Sequence, residues 1–270
     1  MSKNTFSIVH KPIDNFIKEK APPKKNRLNK VTPIQNIPTI NIIMLFLIIF
    51  LSIISQVKTS KESELRGLQS NNNFITLTFQ GKGSIPIINN AYVSSIASIK
   101  INTNNEIPGT INQVQELTGD TNTIKMTFNA QLTSCKNMFK DLPKLLSVDL
   151  TNFDSSLVTE MNSFFKGCTS LISVDFSNKE APELISMNST FKGCKSLTSV
   201  KFDNFRAEKI KDLSELFSSC ENIESINLSS FNSPDLTSLA YTFWGCKSLK
   251  SINMANLKTS NVIGMQAMFQ

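Results

Sequence analysis

Residues 161–178 read MNSFFKGCTSLISVDFSN, and residues 187–205 read MNSTFKGCKSLTSVKFDNF. A shift of 26 positions relates the two stretches, and the same step recurs throughout the C-terminal half of the chain. Phenylalanine, cysteine and aliphatic residues keep this step without slippage, which identifies an internal repeat and decides the fold class before local propensities are considered. The columns are Phe139, Phe165, Phe191, Phe217, Phe243 and Phe269; Cys168, Cys194, Cys220 and Cys246; Leu145, Leu171, Leu197, Ile223 and Leu249; and Val148, Val174, Val200, Ile226 and Ile252.

Each repeat is predicted to contain a short helix followed by a short strand. The apolar residues from Met161 to Cys168 fall at the i, i+3, i+4 and i+7 positions of a helical stripe. From Leu171 to Phe176, the pattern L-x-x-V-x-F matches the core of a leucine-rich repeat, with a strand near Ser173. The sequence therefore predicts an α/β solenoid, a leucine-rich-repeat array of about five repeats over residues 135–270.

The strand residues on either side of the buried valine column are predicted to point outward, on the face that repeat proteins use to bind partners. One such column is serine throughout, and its neighbour is mostly Asp or Asn. A narrow sheet face also requires small polar residues for structural reasons alone, and the lack of aromatic residues argues against a strong hot spot. The candidate binding residues are Ser147, Asp149, Ser173, Asp175, Ser199, Lys201, Ser225, Asn227, Ser251 and Asn253.

The chain before the repeats divides by composition. Residues 1–37 carry eight basic and two acidic side chains and are predicted to be a disordered basic cytosolic tail. Residues 38–57 are uncharged and apolar, which predicts a transmembrane signal-anchor helix. Residues 58–73 are predicted to be a polar linker, and the alternating apolar and polar residues of 74–134 predict a β-rich N-terminal cap.

The charge on either side of the apolar segment sets the expected orientation. The basic tail carries a charge of +6 out of the net +7, which predicts a cytosolic N-terminus and extracellular or lumenal repeats. A cleaved signal peptide, which would release a secreted form, is the alternative. Since little net charge remains for the folded part, a nucleic-acid-binding surface is not predicted.

The repeats, together with YTFWGCKSLKSINMANLKTSNVIGMQAMF at residues 241–269, resemble the repeats of BspA-like surface proteins of bacteria and protists. The resemblance covers residues 135–270 and follows the pattern M-x-x-M-F-x-G-C-x-S-L-x-S-L-D-L-S-N-F. Ser219 replaces the glycine before Cys220, and Lys179 replaces an aromatic residue. The resemblance implies a cell-surface leucine-rich-repeat protein used for adhesion or recognition, and it supplies no catalytic residues.

The residue inventory argues against an enzyme. His10 is the only histidine and lies in the basic tail, so no histidine-based triad or metal cluster is predicted in the folded region. Cysteines 26 positions apart would line one edge rather than converge on a metal, and they are predicted to be small buried side chains. No cofactor is predicted. Asn188 and Asn227 begin sequons and are candidate glycosylation sites.

We therefore expect a membrane-anchored cell-surface protein that mediates protein–protein recognition or adhesion, with an unknown protein or glycan ligand. The alternative function is a structural surface-coat component that self-associates through the solenoid. The strand near residues 251–254 would be left as an open edge, so the sequence also predicts either self-association at the C-terminal end or a fragment of a longer repeat protein.

Overall fold

The computed structural model describes residues 50–54, 56, 73–105, 107–108 and 112–270. The chain divides into two units, residues 1–55 and residues 56–270. Residues 50–54 are helical, and they are the described part of the first unit. All strands named below belong to the second unit.

The second unit begins with a β-rich segment in which antiparallel strands alternate buried and outward-facing residues. On β1, Ile75, Leu77 and Phe79 are fully buried and the residues between them are not, because successive side chains of a strand point to opposite faces. The elements are β1 (Phe74–Gln80), β2 (Gly83–Pro86), a 3-10 helix (Asn90–Ser95), β3 (Ile96–Ile101), β4 (Ile107–Pro108), β5 (Val114–Leu117) and β6 (Thr121–Phe128).

Each later repeat contributes one short strand. These are β7 (Leu145–Asp149), β8 (Ser173–Asp175), β9 (Ser199–Lys201), β10 (Ser225–Asn227) and β11 (Ser251–Asn253). The parallel pairs β7–β8, β8–β9 and β10–β11 join residues one repeat apart, for example Ser173 with Ser199. The 26-residue period of the sequence therefore sets the register in which these strands pair.

The sheets are mixed. A seven-stranded sheet has the order β4-β3-β6-β1-β7-β8-β9, and β2–β5 and β10–β11 form separate two-stranded sheets. Strand β1 pairs antiparallel with both β6 and β7, so the β-rich segment and the first repeats share one sheet. The segments that the sequence divided at residues 134 and 135 are thus joined edge to edge.

The predicted helix in each repeat is wrong, because that stretch consists of turns. Ser163 and Gly167 have φ values of 55° and 76°, and a left-handed residue interrupts a right-handed helix. The N–H of Phe165 donates to the carbonyl oxygen of Thr190 in the next repeat (2.9 Å) rather than to the preceding helical turn. The apolar side chains of this stretch therefore point inward without a helix, because hydrogen bonds between repeats hold its backbone.

The predicted fold class is wrong for the same reason. In the described part of the chain, helical structure is limited to residues 50–54 and 56 and the 3-10 helix, and the strands lie in mixed sheets without solenoid closure. Neither an α/β solenoid nor a leucine-rich-repeat array describes this architecture.

The localisation prediction is also corrected. Residues 1–37, most of 38–57 and most of 58–73 lie outside the described residues. A spanning helix requires about 20 apolar residues. None of the helices that the structure describes has the length and apolarity needed to cross a bilayer. This finding contradicts a single-pass protein with a cytosolic N-terminus and extracellular or lumenal repeats.

The phenylalanine column forms the centre of the repeat core. Phe139, Phe165, Phe191 and Phe217 are fully buried, and the neighbouring rings in the column lie 5.4–6.2 Å apart and nearly parallel. Burial of each ring contributes about 1.5–3 kcal/mol. The core therefore runs continuously along the repeats.

Candidate binding surfaces

The predicted outward columns lie on the strands in the expected orientation. On β8, Ser173 and Asp175 are exposed whereas Val174 between them is buried, and β9 and β10 repeat this pattern. Ser147 is half-buried, and the other nine candidate residues are exposed. The structure places Ser147, Ser173 and Ser199 side by side on one sheet, and pairs Ser225 with Ser251 on another.

The Asp and Asn column has a structural role. The side-chain oxygens of Asp149, Asp175, Asn227 and Asn253 each accept a hydrogen bond from the backbone N–H two residues later, at 2.8–3.1 Å. Such local bonds stabilise the turn that ends each strand. The residue type of this column thus follows from turn formation and does not by itself indicate a ligand.

Lys201 is the exception in that column. Its ammonium nitrogen lies 3.8 Å from the carboxylate of Asp175 in the preceding repeat. Partial burial opposes ionisation of Asp175, but hydrogen bonds from Ser177 and the charge of Lys201 outweigh it and lower the pKa of this carboxyl. The exposed pair contributes little to stability and favours the observed register.

The structure extends the predicted surface onto the β-rich segment. Thr76 of β1 lies between Asp149 on β7 and Lys125 on β6, and Thr78 lies between Ser147 and Thr123. We call this continuous surface the strand face; it comprises Thr76, Thr78, Thr123, Lys125, Ser147, Asp149, Ser173, Asp175, Ser199 and Lys201. Sequence reasoning missed its first four members, because the alternation in β1 and β6 was visible but the pairing of β1 with β7 was not.

A groove runs beside the carboxyl ends of the repeat strands, and sequence reasoning did not predict it. Three recesses of about 630, 560 and 300 Å³ form it. They are connected, because the first shares Asn178 with the second and shares Glu180, Arg206 and Glu208 with the third. Polar side chains dominate its lining.

Lys179, which replaces an aromatic residue of the repeat, lines this groove. Its ammonium group donates to the carbonyl oxygens of Thr151 (2.6 Å) and Phe153 (3.2 Å). Burial lowers the pKa of Lys179, although the carboxylates of Asp149 and Asp154 oppose that effect. The lysine therefore satisfies two main-chain acceptors where the other repeats place an apolar side chain.

The cysteine column is buried and hydrogen-bonded to main chain. The thiols of Cys168, Cys194, Cys220 and Cys246 donate to the carbonyls of Phe139, Phe165, Phe191 and Phe217 at 3.0–3.1 Å. Burial raises the pKa of each of these thiols, to about 12 for Cys168 and about 11 for the less buried Cys246. Within the described ranges, no group of three His, Cys, Asp or Glu residues is arranged to hold a metal ion.

The two glycosylation candidates differ in environment. Asn188 is half-buried and donates to the hydroxyl of Ser214 (2.6 Å), and Thr190 of its sequon is fully buried. Asn227 is exposed on β10, although its side-chain oxygen accepts from the N–H of Ser229 (3.1 Å). Of the two side chains, Asn227 is the more accessible to a modifying enzyme.

The fold and its surfaces define a protein built of 26-residue β-repeats that extend a β-rich segment. Three overlapping matches, over residues 111–200, 133–220 and 185–270, connect it to the family described as "Mycoplasma protein of unknown function, DUF285". These matches span more than half of the chain, which therefore belongs to this family. A search of curated proteins and a search of solved structures each found no match.

Proposed function

We propose that this protein binds other proteins through the strand face. The observation that carries the proposal is the serine column: Ser147, Ser173 and Ser199 lie in register on adjacent strands, and their hydroxyls form no hydrogen bond within the described residues. Unlike the neighbouring Asp and Asn residues, these side chains do not stabilise a turn through a hydrogen bond to the main chain. Their small size leaves a flat surface with donors and acceptors at regular intervals, which suits an extended protein interface.

The resemblance of the repeats to those of BspA-like proteins supports a role in recognition or adhesion. The proposal assigns no catalytic residue, and burial, which raises the pKa of the Cys168 thiol, disfavours that thiol as a nucleophile. Since none of the ten residues of the strand face is aromatic, its affinity would come from many modest contacts rather than from one deep anchor.

The proposal is tested by introducing a large side chain on the strand face. Ser173→Arg and Ser199→Arg should each block binding, whereas Ser260→Arg, at an exposed position off the strands, should not. The full chain would first be used to capture proteins, which would be identified by mass spectrometry. Each would then be titrated against the three variants by biolayer interferometry. Equal affinities for Ser199→Arg and Ser260→Arg would refute the strand face as the interface.

A second candidate function is self-association through an exposed apolar surface in the last repeat. Ile263, Met265 and Phe269 are 92%, 51% and 64% exposed, which is unusual for large apolar side chains so close together in the chain. Sedimentation velocity should show concentration-dependent association that Ile263→Ser together with Phe269→Ser abolishes. A wild-type monomer at all concentrations would exclude this function.

A further inference from the structure

The groove beside the strand ends has a chemistry different from that of the strand face. The side chains of its first recess come from four consecutive repeats, with Asn178, Asn204, Ser230 and Asn256 occupying equivalent positions. Equivalent groups therefore recur along the groove once per strand, at about 4.8 Å. A ligand with a repeating unit of similar length would meet the same groups at each step.

The amides in this groove retain unused hydrogen-bonding capacity. Asn204 Nδ2 donates to Asn178 Oδ1 (3.0 Å), which leaves Asn178 Nδ2 and Asn204 Oδ1 without partners in the part of the chain that the structure describes. Asn256 Nδ2 donates to the carbonyl oxygen of Ser229 (2.9 Å), so its own Oδ1 remains available. Unpaired donors and acceptors thus lie along one open surface.

Backbone geometry explains only part of this arrangement. Asn178 and Asn204 have φ values of 58° and 57°, a conformation that asparagine tolerates better than most residues. Glycine would satisfy the same backbone without a side chain. The positive φ therefore accounts for the choice of a permissive residue, but it does not require amides that face a groove.

The groove is lined by five carboxylates and three basic side chains, and some of these charges are paired. Arg206 lies 3.6 Å from Glu180, and Lys209 lies 2.7 Å from Glu183. Phe205 and Ala207 line the groove but are almost fully buried, so these two side chains offer little apolar surface to a peptide ligand. The groove accordingly favours a neutral ligand rich in hydroxyl groups over a polyanion or an apolar peptide.

We propose that the groove binds a linear neutral oligosaccharide, with successive sugar units contacting the amides of successive repeats. Amide and carboxylate groups pair with adjacent sugar hydroxyls, because each hydroxyl both donates and accepts a hydrogen bond. The amides of this site lie off the strand face, although Asp149 and Asp175 of that face border the second recess of the groove.

The test uses glycine variants that retain the backbone conformation. Asn178→Gly combined with Asn204→Gly removes both amides while tolerating positive φ. Asn137→Gly, at φ 60° in a turn that does not line the groove, is the matched control. The full-chain protein would be applied to immobilised cellotetraose, maltotetraose, chitotetraose and mannotetraose, with a heparin tetrasaccharide as the anionic control, and bound sugars would be titrated by calorimetry.

We expect at least one neutral tetrasaccharide to bind more tightly than its disaccharide. The double glycine variant should weaken that binding by about tenfold or more, whereas the Asn137→Gly control should leave it unchanged. Three results would overturn the proposal: no neutral sugar binding up to about 1 mM protein, equal binding by the double variant and the control, or preference for the heparin fragment. Ser199→Arg should bind sugar normally, which separates failure of this site from failure of the strand face.

Discussion

The phenylalanine column allows a quantitative test of the repeat core. Phe191 is fully buried and stacks between Phe165 (5.7 Å) and Phe217 (5.5 Å), with an edge contact to Phe176 (6.2 Å). Phe191→Ala removes a large buried ring from a continuous core. We expect a loss of about 3–5 kcal/mol in the free energy of unfolding, because the transfer and cavity terms add.

Phe269→Ala is the matched control in the same column. This ring is 64% exposed and stacks on one neighbour, Phe243, at 5.4 Å. Truncation there removes one aromatic contact and creates no enclosed cavity. The expected loss is about 1 kcal/mol or less.

Urea unfolding followed by circular dichroism and by fluorescence of Trp244, the only tryptophan, would measure both variants. Coincident transitions from the two probes are needed before the free energies are compared. The reasoning is refuted if Phe191→Ala and Phe269→Ala lose similar stability, or if Phe191→Ala loses less than about 1 kcal/mol.

Four further predictions concern individual side chains. In the native protein, Cys246 should react with iodoacetamide before Cys168, because it is less buried; peptide mass spectrometry would show the order, and faster labelling of Cys168 would contradict it. Since burial raises the Cys168 pKa from 9.0 to about 12, its contribution to stability is fully present below about pH 9 and is lost as the pH rises towards 12; Cys168→Ala should reduce that decline in urea unfolding, and an unchanged decline would exclude this thiol as a cause. Asn204→Ala should destabilise the fold by about 1 kcal/mol through its positive φ, whereas Asn204→Gly should be nearly neutral, and the reverse order in urea midpoints would argue against the backbone assignment. Lys179→Phe should raise the urea midpoint by an amount equivalent to about 1 kcal/mol, because an apolar ring replaces a partly buried ammonium; a lower midpoint would show that its two carbonyl contacts matter more.

Local sequence patterns are informative where a side chain's environment recurs in every repeat. The 26-residue step relates Ser173 to Ser199, which pair on neighbouring strands, and it also relates Phe191 to Phe217, whose rings stack. The alternation around Val174 identified inward and outward residues on β8. These features follow from the repeat period and from the order of polar and apolar residues within each repeat. Any arrangement in which the repeats stack must place equivalent residues side by side and bury the apolar ones.

The predicted helix failed because periodicity alone cannot show which carbonyl satisfies a given N–H. Met161 and Phe165 are spaced as on a helix, but the N–H of Phe165 bonds to the following repeat, and Ser163 adopts a left-handed conformation. Inter-repeat hydrogen bonding therefore replaced the local bonding that the stripe suggested. Hydrogen bonds within a local helix and hydrogen bonds between repeats compete for the same backbone N–H and C=O groups.

The candidate surfaces depend on pairing between strands that are distant in the sequence. The sequence contained the serine column and the alternation of β1, but only the pairing of β1 with β7 joined them into one strand face. The groove likewise depends on Asn178 and Asn204 meeting across two repeats at 3.0 Å. Composition and repeat period determine which side chains are buried. A binding surface depends instead on which strands are neighbours. The order of the strands is set by pairing between distant parts of the chain, which no short stretch of this sequence encodes.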